Sequence, residues 1–158
     1  MSAAVVVLDQ LSKWLIQDWL AAGRPLRVLP FFDLVLVYNS GAAFSLLSSA
    51  PGWQRELFIG VGLGASALIL YLLRRHAGDP LFCFALSLIL GGALGNLVDR
   101  VHLGAVVDFI DVHAAGYHWP AFNLADSAIT CGAALLIWDG LRPRVQRGAG
   151  ARTRRGLP

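Results

Sequence analysis

Two long stretches without a charged residue limit what this chain can fold into. Residues 57–73, LFIGVGLGASALILYLL, and residues 80–98, PLFCFALSLILGGALGNLV, contain no Asp, Glu, Lys or Arg. Each stretch approaches the roughly 20 residues that a helix needs to cross the hydrocarbon core of a bilayer. The two stretches therefore predict two membrane-spanning helices.

Two further stretches are apolar but carry charges. Residues 121–138 contain a single charged residue, Asp126, and residues 1–22 are interrupted by Asp9, Lys13 and Asp18. The whole chain of 158 residues is 56% hydrophobic and only 15% charged, whereas soluble domains carry about 25% charged residues. We therefore predict one membrane domain with four spans.

The basic residues indicate how these spans are oriented. The short loop RRHAGD, residues 74–79, joins the two charge-free stretches, and six arginines follow Leu141. Basic loops favour the cytoplasmic side of a membrane. We predict a membrane domain over residues 1–141, a basic cytoplasmic tail over residues 142–158, and a cytoplasmic N-terminus. A nucleic-acid-binding tail is the alternative, and on so apolar a chain we expect no nucleic-acid partner.

The two loops on the opposite side differ in pattern. Residues 26–47 are rich in β-branched and aromatic side chains and predict one or two short strands. Residues 99–120 are amphipathic, and Tyr117 and Trp119 suit the membrane interface. The predicted fold is all-α, with four transmembrane helices, a small extracytoplasmic sheet and an interfacial loop or helix.

Several polar residues fall inside the apolar stretches. Asp9 and Lys13 are spaced i,i+4 and predict an ion pair within one helix, although a catalytic role is the alternative. Asn96 and Asp99 share a helix face near the end of the second charge-free stretch. They form either a helix-terminating polar cluster or part of a functional site. The spacing of Gly91 and Gly95 predicts close helix packing.

Two aspartates are predicted on the same side of the membrane. Asp108 lies among apolar residues in GAVVDFI, and Asp126 lies with Asn123 at the start of the last span. Helix capping explains Asp126, but it does not explain Asp108. Two carboxylates in a dry site share a proton and can serve as acid and base in hydrolysis. The residues alone leave Asp99 and Arg100 open as other partners of Asp126.

Other chemistries fit the pattern less well. The four histidines lack a metal-binding spacing, and Ser45, Ser48 and Ser49 lack the GxSxG context of a serine nucleophile. We therefore expect no metal and no cofactor. Two non-protease alternatives remain open at this point. One is a small transporter that uses membrane carboxylates as a proton relay, and the other is a scaffold whose aspartates only cap and pair.

Five motifs in order resemble the lipoprotein signal peptidase (signal peptidase II) family over nearly the whole chain. They are DQLSK (9–13), NSGAAF (39–44), GGALGNLVDR (91–100), GAVVDFI (104–110) and FNLADS (122–127). The resemblance implies a monomeric aspartic endopeptidase of the bacterial inner membrane. Such an enzyme removes signal peptides from diacylglyceryl-modified prolipoproteins, just before the lipidated cysteine. It needs no metal, and it is the target of the antibiotic globomycin.

The resemblance also implies roles for particular residues. The catalytic pair would be Asp108 and Asp126, near the outer face of the membrane. The residues that would line the substrate site are Asn39, Asn96, Arg100 and Asn123. The residues that would give structural support are Asp9, Lys13 and Asp99. The predicted strands in 26–47 would form a β-cradle, and the partners would be lipid-modified prolipoproteins and membrane lipids.

Overall fold

Four helices and four strands make up the computed structural model, which describes residues 1–21, 23–41 and 52–142. The helices are α1 (Ser2–Trp19), α2 (Gln54–Arg75), α3 (Pro80–His102) and α4 (Leu124–Leu141). The strands are β1 (Leu26–Leu29), β2 (Phe32–Asn39), β3 (Val106–Ala114) and β4 (Tyr117–His118). Residues 42–44 of NSGAAF, the three serines considered above and the tail from residue 143 onward lie outside the described residues.

Three of the helices, α2, α3 and α4, are long and apolar enough to cross a membrane. They correspond to the three most apolar predicted stretches, with shifted ends. Helix α3 continues past residue 98 to His102, so Asn96 and Asp99 lie inside its last two turns. It begins cleanly because Pro80 occupies its first turn and the Asp79 side chain accepts a hydrogen bond from the Phe82 N–H at 3.2 Å.

Helix α3 is the central element, and it packs against each of the other three helices. Glycines allow this close packing. A Cβ at Gly91 would lie 2.6 Å from the Val5 Cβ of α1, and a Cβ at Gly92 would overlap the Ala125 carbonyl oxygen of α4. A Cβ at Gly95 would lie 2.6 Å from the Asp9 carboxylate. The predicted packing role of Gly91 and Gly95 is therefore confirmed.

The strands form one antiparallel sheet in the order β1-β2-β3-β4. The predicted strands within 26–47 are confirmed as β1 and β2. The predicted helical fold with a small sheet is confirmed, but the interfacial loop or helix predicted in 99–120 is wrong, because residues 106–118 supply β3 and β4. The β-branched residues of β3 favour a strand, and β2 offers an unpaired edge that β3 satisfies.

The sheet is anchored on the end of α1. Ile16 of α1 and Leu20, which directly follows α1, pack with Phe109 of β3 in one buried cluster. The Tyr38 hydroxyl of β2 also donates a hydrogen bond to Gln17 Oε1 at 3.3 Å. This anchoring brings the end of β2 and the middle of β3 next to the C-terminal turns of α3 and the first turn of α4.

Candidate active site

Two carboxylates from different elements face one cavity. Asp108 comes from β3 and Asp126 from the first turn of α4, and both line a cavity of about 750 Å³. Only 3% of the Asp108 surface is exposed. A carboxylate this buried needs hydrogen-bond partners to offset the loss of water.

Asn123 connects the two carboxylates. Its Nδ2 donates to Asp108 Oδ1 at 2.8 Å, and its backbone N–H donates to Asp126 Oδ2 at 3.3 Å. Its Oδ1 accepts a hydrogen bond from the Asp126 N–H at 2.9 Å, which completes a capping box at the start of α4. The capping role of Asp126 therefore exists, and the same contacts join Asp126 to Asp108.

The remaining oxygen of each carboxylate accepts a hydrogen bond from a further asparagine, a different one for each carboxylate. Asn39 Nδ2, at the end of β2, donates to Asp108 Oδ2 at 3.0 Å. Asn96 Nδ2, on α3, donates to Asp126 Oδ1 at 2.7 Å. Because every carboxylate oxygen has a donor, both carboxyl groups are fixed in orientation before any ligand binds.

The surroundings of Asp108 also set its protonation. The pKa of Asp108 is raised from 3.8 to about 6, chiefly by burial and in part by the nearby Asp126 charge. The hydrogen bonds from Asn39 and Asn123 and the charge of Lys13 act in the opposite direction. Asp108 can therefore both hold and release a proton close to neutral pH, as a general acid or base must.

Arg100 lines the cavity, and its guanidinium contacts a backbone carbonyl oxygen and an aromatic ring. Its guanidinium donates to the Gly41 carbonyl oxygen at 3.2 Å and lies over the Phe58 ring at 5.1 Å from the centroid. The other rival partner of Asp126, Asp99, is directed away from the cavity and pairs with Lys13 at 2.7 Å. Asp126 is thus joined to Asp108, through Asn123, rather than to Asp99.

The three residues assigned to structural support lie behind the two carboxylates. Lys13 Nζ contacts Asp9 Oδ2 at 2.8 Å, so the predicted i,i+4 ion pair is confirmed. The pairing of Lys13 with Asp99 joins this pair to α3. Asp99 lies far from Lys13 in the sequence, so no local spacing indicated this contact.

Most of the residues predicted to line the site face the cavity. The cavity lining includes Asn39, Asn96 and Arg100 as well as both carboxylates. Asn123 is fully buried and lies behind the carboxylates. In the described part of the chain, no three His, Cys, Asp or Glu residues are grouped so that they could hold a metal ion.

The sequence prediction missed one wall of the cavity. Phe122, Ile129 and Trp119 give it apolar surface, and Thr130 continues the polar face of α4. Thr130 follows Asp126 by four residues, so the helical period could have indicated it. Trp119 was assigned only to the membrane interface, because nothing in its local sequence connects it to Asp126.

The chain is similar to known proteins over most of its length. Residues 1–142 match the family described as "Signal peptidase (SPase) II". A lipoprotein signal peptidase of Janthinobacterium sp. (strain Marseille) is 57% identical over 141 residues, which cover 89% of this chain and 86% of that protein. A lipoprotein signal peptidase of Cupriavidus pinatubonensis is 60% identical over 138 residues, which cover 87% of this chain and 78% of that protein.

Solved structures show the same arrangement of elements. A bacterial membrane enzyme structure determined by the in meso method at 2.3 Å resolution has a TM-score of 0.80 and 35% sequence identity. The match covers 89% of this chain and 84% of that one. A second such structure, at 1.9 Å resolution, has a TM-score of 0.78 and covers 89% of this chain and 90% of that one. The resemblance found in the five motifs is therefore confirmed.

Proposed function

The chain belongs to the signal peptidase II family, and on that basis we propose that it is an aspartic endopeptidase that cleaves lipid-modified prolipoproteins. The proposed reaction removes the signal peptide just before the diacylglyceryl-modified cysteine. The observation that carries the aspartic mechanism is that Asp108 and Asp126, which we call the dyad, line one cavity and are joined through Asn123.

In the proposed mechanism, the two carboxylates share one proton. Water attacks the carbonyl carbon of the scissile peptide, one carboxylate takes a proton from the water, and the other gives its proton to the carbonyl oxygen. Collapse of the tetrahedral intermediate then breaks the C–N bond, and the leaving nitrogen takes up a proton. The raised pKa of Asp108, about 6, supports a proton held between the pair at near-neutral pH.

The remaining lining residues are proposed to bind the substrate. Asn39 and Asn96 present amide groups at the cavity, and Arg100 presents the only guanidinium among the described residues that line it. We assign to them the orientation of the peptide carbonyls. The apolar wall that contains Phe122 and Ile129 suits the lipid-modified side of the cleavage site, because burial of hydrocarbon there contributes to binding.

Helix α1 is proposed as a fourth membrane span, although charged residues interrupt it. Its charged residues Asp9 and Lys13 are buried against α3, while Val7, Leu11 and Trp14 are exposed. A helix with ionic residues inside and apolar residues outside suits a lipid environment. Four spans put both termini in the cytoplasm and the carboxylates near the outer face of the inner membrane.

A relay transporter is not favoured. The relatives of this chain are lipoprotein signal peptidases. In addition, Asp108 lies in a strand and Asp126 in the first turn of a helix, whereas a proton relay needs carboxylates deep in the membrane.

A gel-shift cleavage assay tests the proposed function. Purified protein in detergent is mixed with a lipid-modified prolipoprotein or with its unlipidated form. We expect wild type to cleave only the lipidated form, and Asp108→Asn and Asp126→Asn to be folded but inactive. Asp111→Asn, on the same strand but bonded to His118, is the matched control and keeps activity. Cleavage by either dyad variant at the wild-type rate would refute the aspartic mechanism.

A further inference from the structure

A buried ionic cluster lies directly behind the two carboxylates. We call Asp9, Lys13 and Asp99 the ionic triad. All three are at most 3% exposed, and Lys13 Nζ contacts Asp9 Oδ2 at 2.8 Å and Asp99 Oδ2 at 2.7 Å. Buried ion pairs are weak evidence for stability, because desolvation of the charges offsets their attraction. The triad therefore calls for an explanation other than stability alone.

Each acid of the triad also binds the backbone next to one of the two carboxylates. Asp9 Oδ1 accepts a hydrogen bond from the Ala125 N–H at 2.9 Å, and Ala125 immediately precedes Asp126. Asp99 Oδ2 accepts a hydrogen bond from the Val107 N–H at 3.1 Å, and Val107 immediately precedes Asp108. Lys13 thus pairs with both acids that anchor α4 and β3 at the site. Gln10 Nε2 supplements it with hydrogen bonds to Asp9 Oδ2 at 3.2 Å and to Asp99 Oδ1 at 2.8 Å.

The glycine at position 95 makes the first of these contacts possible. A Cβ at Gly95 would lie 2.6 Å from Asp9 Oδ2 and 3.4 Å from the Ala125 Cβ. Asp9 on α1 therefore reaches Ala125 on α4 across the bare backbone of α3. The contact is therefore built into the packing of α1, α3 and α4.

Lys13 also helps to fix which way the Asn96 amide faces. Lys13 Nζ and Asn123 Nδ2 both donate to Asn96 Oδ1, each at 3.1 Å. With its oxygen held by two donors, Asn96 must present its Nδ2 to Asp126. Without Lys13, Asn123 Nδ2 would be the remaining donor of this pair to the Asn96 oxygen, and the amide would be held less firmly.

We propose that the ionic triad is a positioning device that fixes the separation of Asp108 and Asp126 and the orientation of the Asn96 amide. This inference rests on the proposed function, since it concerns the geometry of the dyad. None of the three residues is among the described residues that line the cavity. They act through Ala125, Val107 and Asn96, so they are positioning residues and not catalytic ones.

The test removes the cation without unbalancing the charge. The double variant Asp9→Asn, Lys13→Met loses one anion together with one cation, and the asparagine introduced at position 9 keeps an oxygen for the Ala125 N–H. We expect a folded protein whose kcat falls about 100-fold, because misplacement of reacting groups by about 1 Å costs rate on that scale. KM should change much less than kcat, since none of the three residues of the triad is among the described residues that line the cavity. The pH limb that reports Asp108 should move to higher pH when the Lys13 charge is lost.

Matched variants separate positioning from a structural role. Ser2→Ala removes another α1–α3 hydrogen bond, to the Ser87 carbonyl oxygen at 2.9 Å, far from the dyad. It should leave kcat and the pH profile unchanged. If the double variant does not fold, Asp99→Asn tests the expected loss of kcat, because it breaks the ion pair with Lys13 but keeps an oxygen for the Val107 N–H. Lys13 stays in this variant, so its pH limb should not move to higher pH.

The outcomes distinguish this inference from the proposed function. A lower melting temperature with a wild-type kcat and pH profile for the folded double variant would overturn the positioning role and leave the dyad intact. Wild-type cleavage by Asp108→Asn would instead overturn the dyad itself. A lower kcat with a shifted pH limb, in a protein inactivated by Asp108→Asn, supports both.

Discussion

Amide groups, and not cations, contact the two carboxylates directly, and this choice has an electrostatic consequence. Asn39 and Asn123 satisfy the oxygens of Asp108 without bringing a full positive charge against them. A direct lysine or arginine partner would favour the ionised form strongly. Lys13 contacts Asn96, which lies between it and the carboxylates, and the pKa of Asp108 stays at about 6.

This raised pKa predicts a pH-dependent stability. In the folded state the pKa of Asp108 is raised from 3.8 to about 6, so folding favours the protonated form of this carboxyl group. The stability this proton contributes is fully present below about pH 4 and is lost as the pH rises through about 6. A shift of this size corresponds to an upper limit of about 3 kcal/mol. Asparagine cannot ionise, so the melting temperature of Asp108→Asn relative to wild type should rise between pH 4 and 7.

Thermal unfolding in detergent across that pH range measures the difference. The slope is the informative quantity, because the asparagine introduced at position 108 would turn an NH₂ group toward one of its two amide partners and lose a hydrogen bond at every pH. Asp18→Asn, at an exposed position of α1, leaves Asp108 in place and should keep the wild-type slope. A constant offset between wild type and Asp108→Asn from pH 4 to 7 would contradict the raised pKa.

The sequence indicated the two carboxylates but only part of what surrounds them. Asp108 and Asp126 stood out because ionisable residues among apolar ones need a reason to be there. The dual role of Asn123, as cap and as bridge, follows from its bonds to α3, β3 and α4 together. The contact between Asp99 and Lys13 joins α3 to α1, and no local pattern encodes it.

At the scale of whole elements, hydropathy predicted the helices well and the sheet only in part. Helices α2, α3 and α4 follow from long apolar stretches, a local signal. Strand β3 was assigned to an interfacial loop or helix because its partner β2 lies far earlier in the chain, as in the pairing of Val37 with Asp108. Such non-local pairing decides between strand and helix for short apolar segments.

The packing of these elements predicts that glycines in two helices differ sharply in tolerance. A Cβ at Gly132 of α4 would lie 2.7 Å from the Ala85 carbonyl oxygen of α3, whereas a Cβ at Gly64 of α2 meets nothing within 4 Å. Backbone cannot move aside locally, so Gly132→Ala must separate two helices. We expect it to destabilise the protein by about 1–3 kcal/mol.

Gly64→Ala is the matched substitution for this comparison. It adds the same methyl group to a helix interior with open space around it, and alanine favours helix over glycine. Its melting temperature in detergent should equal or exceed that of wild type. Equal losses of stability for the two variants would show that the close α3–α4 approach at Gly132 has no energetic weight.

At the scale of the whole molecule, charged residues are buried around α3 while many large apolar residues are exposed. Asp9 and Lys13 of α1 face α3, and apart from Asp18 the exposed residues of α1 are apolar. The strands extend from the ends of α1 and α3, where the cavity opens. This arrangement explains why hydropathy alone gave a weak signal for α1. Its charges are neutralised by partners on α3 that a sliding window along the sequence does not include.

The proposed four-span topology predicts opposite accessibility for two loops. Phe31, at the turn between β1 and β2, and Gly78, between α2 and α3, are both exposed. In a background carrying Cys83→Ser and Cys131→Ser, we expect a membrane-impermeant maleimide to label Phe31→Cys in intact spheroplasts and not Gly78→Cys. Permeabilised cells should label both, which controls for reactivity.

With only three spans crossing the membrane, the N-terminus would move to the outer side while both loops kept their sides. A cysteine added before Met1 therefore completes the test, and its labelling in intact spheroplasts would rule out α1 as a span.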